Sequence, residues 1–397
     1  MSDIFAYLDP SPPAAPAGPL KGQSIAVQAN LSVRGWPTGA GSPALSGYVA
    51  LEDATVVTRI RAAGGRIVGN FRTGEFGFGP DGDAAGRALA LGPAGVVLVT
   101  DILGEARLAA ARAGVFGFKP TAGIVSRFGL IGLMPSLEGL GLLARSTGEI
   151  AAVLAVIAGP DERDTAMHAG TIPDFSRGEG APPLRRVGVV EEALAGLAGP
   201  EAAAFEGGVA ALQAAGIEVR DVAPSALDDF ALVHRIVGAG EASSSCGKFD
   251  GVRYGHRTAG AKNWNEMYLK TRAESFGPLL KGLLFQGAYF QFENYAAFEK
   301  AARVRARLEE ETEALFTGVD ALVLPTRRRD GGEGSDGLAG IYGAGLFTLP
   351  ANVLGLPALQ IPGLIRDGSA VGGLQLLGRR LGDPGLLALA ERLSKNV

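Results

Sequence analysis

Between Ser24 and Gly69 the chain reads as strand, helix, strand, and this pattern restricts the fold more than any other feature. Ser24-Ile-Ala-Val-Gln-Ala is a short apolar run, residues 52–63 carry apolar positions at helical spacing up to Gly64-Gly65, and Arg66-Ile-Val-Gly is a second short run. Such an alternation is a βαβ unit, which asks for a parallel sheet covered on both faces. The alternation continues. Ala84–Leu91 is helix material of small residues, Gly95-Val-Val-Leu-Val-Thr100 a continuous apolar strand, and Thr147–Ala158 an amphipathic helix closed by Gly159-Pro160. Leu184–Val190 is another strand and 200–215 an Ala-rich helix, while 231–248 starts helical and turns polar at Ser243–Ser245, a loop-like run. One long helix is expected over Tyr289–Phe316, a strand over Asp320–Pro325, and a last helix over 383–395. We therefore expect an α/β fold with a large mixed, mostly parallel, twisted central sheet covered by helices on both faces. Residues 1–20, rich in Pro and Ala, are expected to form an N-terminal arm, and 21–397 a single domain.

Composition narrows the functions. Hydrophobic residues make up 47% of 397, enough for a buried core, and 37 Lys and Arg against 41 Asp and Glu give a net charge of −4. That balance supplies no global attraction to nucleic acid or an anionic membrane, so direct nucleic-acid binding is not expected. The single cysteine, Cys246, excludes an internal disulfide, and the widely spaced His168, His234 and His256 do not suggest a metal centre. No cofactor is expected. The first residues carry no basic and apolar leader, and no apolar run approaches the ~20 residues that span a bilayer. A cytoplasmic protein is the expectation.

Between Val99 and Arg145 four pieces follow one another: Val99-Thr-Asp-Ile-Leu-Gly-Glu-Ala-Arg, Gly117-Phe-Lys-Pro-Thr-Ala-Gly, Val125-Ser-Arg-Phe-Gly-Leu, and Ser136-Leu-Glu-Gly-Leu-Gly-Leu-Leu-Ala-Arg. In that order they resemble the core of the amidase signature family, whose text is T-D-T-G-G-S, G-L-K-P-T-x-G, V-S-R-x-G and S-L-D-x-x-G-P-L-A-R. Ile25-Ala-Val-Gln-Ala-Asn stands where that family has I-A-V-K-D-N, and Pro350-Ala-Asn-Val-Leu-Gly-Leu-Pro-Ala and Gly373-Leu-Gln-Leu-Leu-Gly also fit. Glu241-Ala-Ser-Ser-Ser-Cys-Gly-Lys and Tyr268-Leu-Lys-Thr-Arg-Ala-Glu-Ser-Phe-Gly look like the A-type amidotransferase branch, in which glutamine is hydrolysed for a tRNA-dependent Asp/Glu amidotransferase. The resemblance implies the amidase signature fold over nearly the whole chain.

It also implies a Ser–Ser–Lys triad: a lysine that takes protons, a relay serine, and a nucleophilic serine beside backbone N–H groups that hold an oxyanion. On this chain the lysine position is Gln28, whose amide cannot accept and return a proton near neutral pH. The nucleophile position is Glu105, and the relay position matches Asp81, 24 residues earlier. Ile102-Leu103-Gly104 takes the place of T-G-G in the oxyanion loop. The Arg and Asp that would fix an amino-acid substrate are met by the stretch at Lys281 and by Gly345. A catalytic triad of the family type is therefore not expected.

The same residues allow other readings. Asp81 and Glu105, with Asp83 and Asp101, could make a rebuilt acid/base pair, but Arg72, Arg87, Arg107 and Arg112 nearby suit structural ion pairs. Lys119 reads as a framework residue, His256 as a surface or packing residue, and Cys246 as a small buried one. Three functions stay open: a non-catalytic protein docking a B- or C-type amidotransferase partner, an active paralogue or another copy of itself; an amide hydrolase with carboxylate chemistry; and a small-molecule binder using the old pocket.

Overall fold

A computed structural model describes residues 3–10, 16–79, 84–175, 183–195, 197–223, 226–253, 255–327, 337–363 and 373–395. In chain order the elements begin β1 (Phe5–Leu8), β2 (Ser24–Gln28), α1 (Thr55–Ala62), β3 (Arg66–Phe71), α2 (Ala84–Leu91), β4 (Val96–Asp101), α3 (Glu105–Ala113), β5 (Phe116–Lys119), β6 (Gly139–Ala144) and α4 (Thr147–Ile157). They continue with β7 (Arg186–Val190), α5 (Gly199–Ala214), β8 (Glu218–Val222), α6 (Leu227–Ser245), α7 (Trp264–Ser275), α8 (Pro278–Phe292) and α9 (Tyr295–Leu315). The last are β9 (Ala321–Pro325), α10 (Leu338–Gly345), α11 (Leu349–Leu354), β10 (Ala358–Pro362), β11 (Gly373–Gly378) and α12 (Asp383–Lys395). The strands form one sheet in the order β1-β3-β2-β4-β6-β5-β10-β11-β9-β7-β8.

The βαβ expectation holds at β2-α1-β3, where Ile25 pairs Ile67 in parallel, and β2 also runs parallel to β4. The expectation of a mostly parallel sheet does not hold. Among the described residues six of the ten strand pairings are antiparallel, with β6 reversed between β4 and β5 and the direction alternating along β5, β10, β11 and β9. β4, β6 and β11 are buried along nearly their whole length whichever way they run. Continuous apolar runs report burial on both faces and say nothing of direction.

Helices cover both faces because successive side chains alternate. Ile25, Val27, Val96 and Leu98 point into a core shared with α1, α4, α5 and α12. Ala26, Val97, Val99 and Leu143 face α2 and α3 on the other side, and farther along the sheet Leu322, Leu324 and Leu377 meet α6, α8, α9 and α11. Helix α3 lies close on the sheet. A Cβ on Gly117 of β5 would stand 2.5 Å from Ala110 Cβ, and one on Gly141 of β6 would stand 2.4 Å from Ala106 Cβ. The Ala-rich face of α3 over two strand glycines sets the position of its first residue, Glu105.

Two further expectations need correction. The long helix over Tyr289–Phe316 is two helices, because the Asn294 side chain accepts from the Ala297 N–H (3.3 Å) and starts α9 afresh. Ser243–Ser245 is the last turn of α6, not a loop. In the N-terminal arm, Phe5–Leu8 pairs antiparallel with β3 at the sheet edge, while residues 11–15 lie outside the described residues.

Candidate active site

The parallel strands β2 and β4 end side by side, and their C-terminal ends carry Gln28 and Asp101. The chain leaves β4 through Ile102-Leu103-Gly104 and enters α3 at Glu105, with Gly104 at φ 111° serving as the residue before the helix. A side chain on Gly104 would be strained at that φ and would lie 2.3 Å from the Thr348 side chain. The turn directs three successive N–H groups to one point. Ile102 N–H (2.6 Å), Leu103 N–H (2.7 Å) and Gly104 N–H (3.1 Å) all donate to Glu105 Oε2. Gly79 N–H donates to Oε1 (3.0 Å). Convergent backbone N–H groups at a helix start are what an oxyanion would need. Here a carboxyl from the chain itself takes them. Burial, and then the charge of Asp101, push the Glu105 carboxyl up to about 8, against the pull of its backbone donors.

The carbonyls of the same turn are held from the other side. Burial pushes His234 on α6 down to about 4, so its ring is neutral near pH 7. His234 Nε2 lies 2.9 Å from the Ile102 carbonyl, which can only accept, so Nε2 carries the proton and Nδ1 accepts from the Tyr342 hydroxyl (3.1 Å). The Thr348 hydroxyl reaches the carbonyls of Leu103 and Gly345. Gln28 bridges the strand ends: Thr100 N–H donates to its Oε1 (2.7 Å), and its Nε2 donates to Thr73 Oγ1 (2.7 Å). Below the turn Asp101 forms a fully buried ion pair with Arg107 (3.1 Å) and accepts from Asn352 Nδ2 (2.8 Å). Gln28, Ile102, Leu103, Glu105 and His234 are all buried.

A family model described as Amidase matches residues 6–87 and 81–387. The chain belongs to the amidase family. The A subunit of the glutamyl-tRNA(Gln) amidotransferase of Symbiobacterium thermophilum is 36% identical over 95% of this chain and 83% of its own length. Its counterpart in Halobacterium salinarum is 35% identical over 95% of this chain and 96% of its own. Among solved structures, the A subunit of the glutamyl-tRNA(Gln) amidotransferase of Thermotoga maritima superposes with a TM-score of 0.81 at 25% identity, covering 99% of this chain and 87% of that one. An amidase gives a TM-score of 0.78 at 26% identity, covering 100% and 92%. These relatives agree with the amidase signature fold expected from the motifs.

On this amidase-family scaffold Gln28, Glu105 and the Ile102–Gly104 turn come together, and Gly345 joins them, since a Cβ there would lie 3.2 Å from the Leu103 carbonyl. Asp81 and Asp83 lie outside the described residues; Gly79, two residues before Asp81, is against Glu105. The ion pairing expected of Arg107 is made with Asp101 rather than Glu105, and Arg87 pairs with Asp3 at the surface. The Lys281 ammonium is taken by the Ala273 carbonyl (2.6 Å). His256 pairs with Glu274 (2.5 Å), and burial pushes the Cys246 thiol up to about 12. Among the described residues no group of three or more His, Cys, Asp and Glu could hold a metal ion, and no helix is long and apolar enough to cross a membrane. No motif in the sequence marks His234 or Tyr342 as part of this site. A signal for the histidine is nevertheless there in α6, where Leu227, Phe230, His234 and Val237 repeat at helical spacing and put the imidazole on the buried face.

Proposed function

We propose that this chain is an amidase-family scaffold, one α/β domain over 21–397, that docks a partner in the cytoplasm and does not hydrolyse amides by the family route. The observation that carries the reading is the position of the Glu105 carboxyl. An amide substrate would need an alcohol at that point and free N–H groups beside it, and Oε2 of Glu105 already accepts all three. Gln28 supplies no proton acceptor of lysine's kind, being held between Thr100 N–H and Thr73. The names of the relatives would assign the A-subunit role of a glutamyl-tRNA(Gln) amidotransferase, and these two positions argue against carrying an amide-hydrolysing activity over with it. A B- or C-type amidotransferase partner, an active paralogue or a second copy are the occupants that fit a retained body of the A type. Support for docking comes from α8, where Phe285, Tyr289 and Phe292 are exposed at helical spacing, and Tyr295 is exposed at the start of α9.

A second reading has an observation of its own: a buried carboxyl pushed up to about 8 is poised for acid/base work, with Asp81 as its expected companion. Ammonia release from glutamine, asparagine and a simple aliphatic amide decides between them. The scaffold reading expects no turnover by the unaltered protein, and measurable turnover, if any, only after Gln28→Lys with Glu105→Ser. Turnover by the unaltered protein that disappears in Glu105→Ala would replace it with the carboxylate mechanism.

A further inference from the structure

A cavity of about 200 Å³ lies away from the Glu105 turn, between the Lys119–Gly123 segment after β5, the Pro135–Leu140 approach to β6, and the end of α11. It opens past the exposed Ser136 and Arg380. Its walls carry four cations, Lys119, Arg127, Arg305 and Arg380, against one acid, Glu138. Glu138 is already committed, accepting from Leu133 N–H (2.7 Å), Met134 N–H (2.9 Å) and Arg127 (3.2 Å). The other three cations donate to carbonyl and hydroxyl oxygens. Lys119 donates to the Pro120 and Leu356 carbonyls (3.0 and 2.9 Å), Arg305 to the Ser136 hydroxyl and carbonyl (both 3.2 Å), and Arg380 to the Ala122 carbonyl (3.4 Å).

Among the described residues no carboxylate comes within ion-pair distance of Lys119, Arg305 or Arg380. Four acids act on them from farther away, Asp101 and Asp383 on Lys119 and Glu241 and Glu309 on Arg305; of these Asp101 is paired with Arg107, Asp383 accepts from Thr121, and Glu241 accepts from Ser136 N–H. Burial pushes Lys119 down to about 8; the charges of Arg107 and Arg380 add to that, and those of Asp101 and Asp383 oppose it. Burial lowers Arg305 too, and Arg380 again adds, although Glu241 and Glu309 oppose it. Arg380 thus repels both Lys119 and Arg305 around one hollow, a charge arrangement that an incoming anion relieves.

We propose that this cavity binds a small ligand through an oxyanion, a carboxylate or a phosphate, held by Lys119, Arg305 and Arg380. Two guanidinium groups suit either oxyanion, since their N–H forks match its geometry, and the buried lysine adds a point charge. The site needs nothing from Glu105, so it stands or falls apart from the scaffold reading.

Calorimetric titration of the purified protein with inorganic phosphate and, separately, with malonate tests it, with chloride at matched ionic strength as the control. Saturable binding of either anion, weakened about tenfold or more in Arg380→Gln and in Arg305→Gln and partly regained in Arg305→Lys, is the expected result. Phosphate alone or malonate alone identifies which headgroup the site takes. Arg380 is exposed, so its variant tests the site without threatening the fold. Binding of neither anion, binding no stronger than the chloride response, or equal binding by the Arg305→Gln/Arg380→Gln double variant would overturn the proposal.

Discussion

The turn before α3 and the cavity beside Lys119 are both places where the chain gathers positive potential, and they are finished in opposite ways. At the turn the donors are backbone N–H groups, and the chain supplies its own acceptor, the Glu105 carboxyl, one residue downstream. At the cavity the donors are long side chains from four separate segments, and the one acid in its walls is spent on Arg127 and two N–H groups. A site filled from within is rigid and closed to ligands, whereas one left unneutralised carries a repulsion that an outside anion can discharge. Charge inside a protein therefore predicts binding only after the chain's own counter-groups have been counted.

The largest effect that sharpens this contrast is expected at Arg107, a buried cation whose partners are all internal. Arg107→Met leaves Asp101 buried without its ion pair and should lower stability by about 3–5 kcal/mol in urea unfolding. A double variant with Asp101→Asn should recover part of that loss. A single-variant loss below about 1 kcal/mol would mean that Asn352 and the Ala106 N–H satisfy Asp101 by themselves.

Next comes the pH dependence of Glu105. Its folded carboxyl is pushed up to about 8 from an ordinary 4.5, so between those values the folded chain binds more protons than the unfolded one. Stability should then fall as pH rises from 5 to 8, with a slope of up to about 1.4 kcal/mol per pH unit from this group. Glu75, Glu138 and Asp383, also raised by burial, act in the same sense. The difference between the unaltered protein and Glu105→Gln therefore isolates the group. Equal slopes would show a carboxylate ionised throughout, held by its four donors and the start of α3.

How much of this is legible in the sequence follows the range of the interactions. Gln28 and Glu105 are legible because each sits in a short ordered motif next to its strand. The return of Glu105 onto its own turn is not, because it depends on side-chain torsions and on Gly79 arriving from another segment. Strand positions are legible from apolar runs, but the antiparallel pairing of β6, β10 and β11 with their neighbours is not, since a fully buried strand has the same pattern in either direction. The break at Asn294 has a local signal, an Asn before a new helix, which the apolar and charged run around it hides. Nothing local links Lys119, Arg305 and Arg380. They meet only because the sheet sets β10 beside β5 and β11 beyond it, and α9 crosses the Ser136 turn.

The smallest expected effect is the one that separates the two regions most directly. Arg380→Gln removes a cation that has no carboxylate partner among the described residues and whose charge disfavours the protonated forms of Lys119 and Arg305. In the absence of added oxyanion its stability should therefore stay within about 0.5 kcal/mol of the unaltered protein, or rise slightly, far from the loss at Arg107. In saturating phosphate or malonate the order should reverse. The unaltered protein gains a thermal shift from ligand linkage, and the variant gains less because its affinity is lower. A loss of more than about 1 kcal/mol without any anion would show that Arg380 is held by the fold through Ala122, as Arg107 is held by Asp101, and the contrast between a closed site and an open one would dissolve.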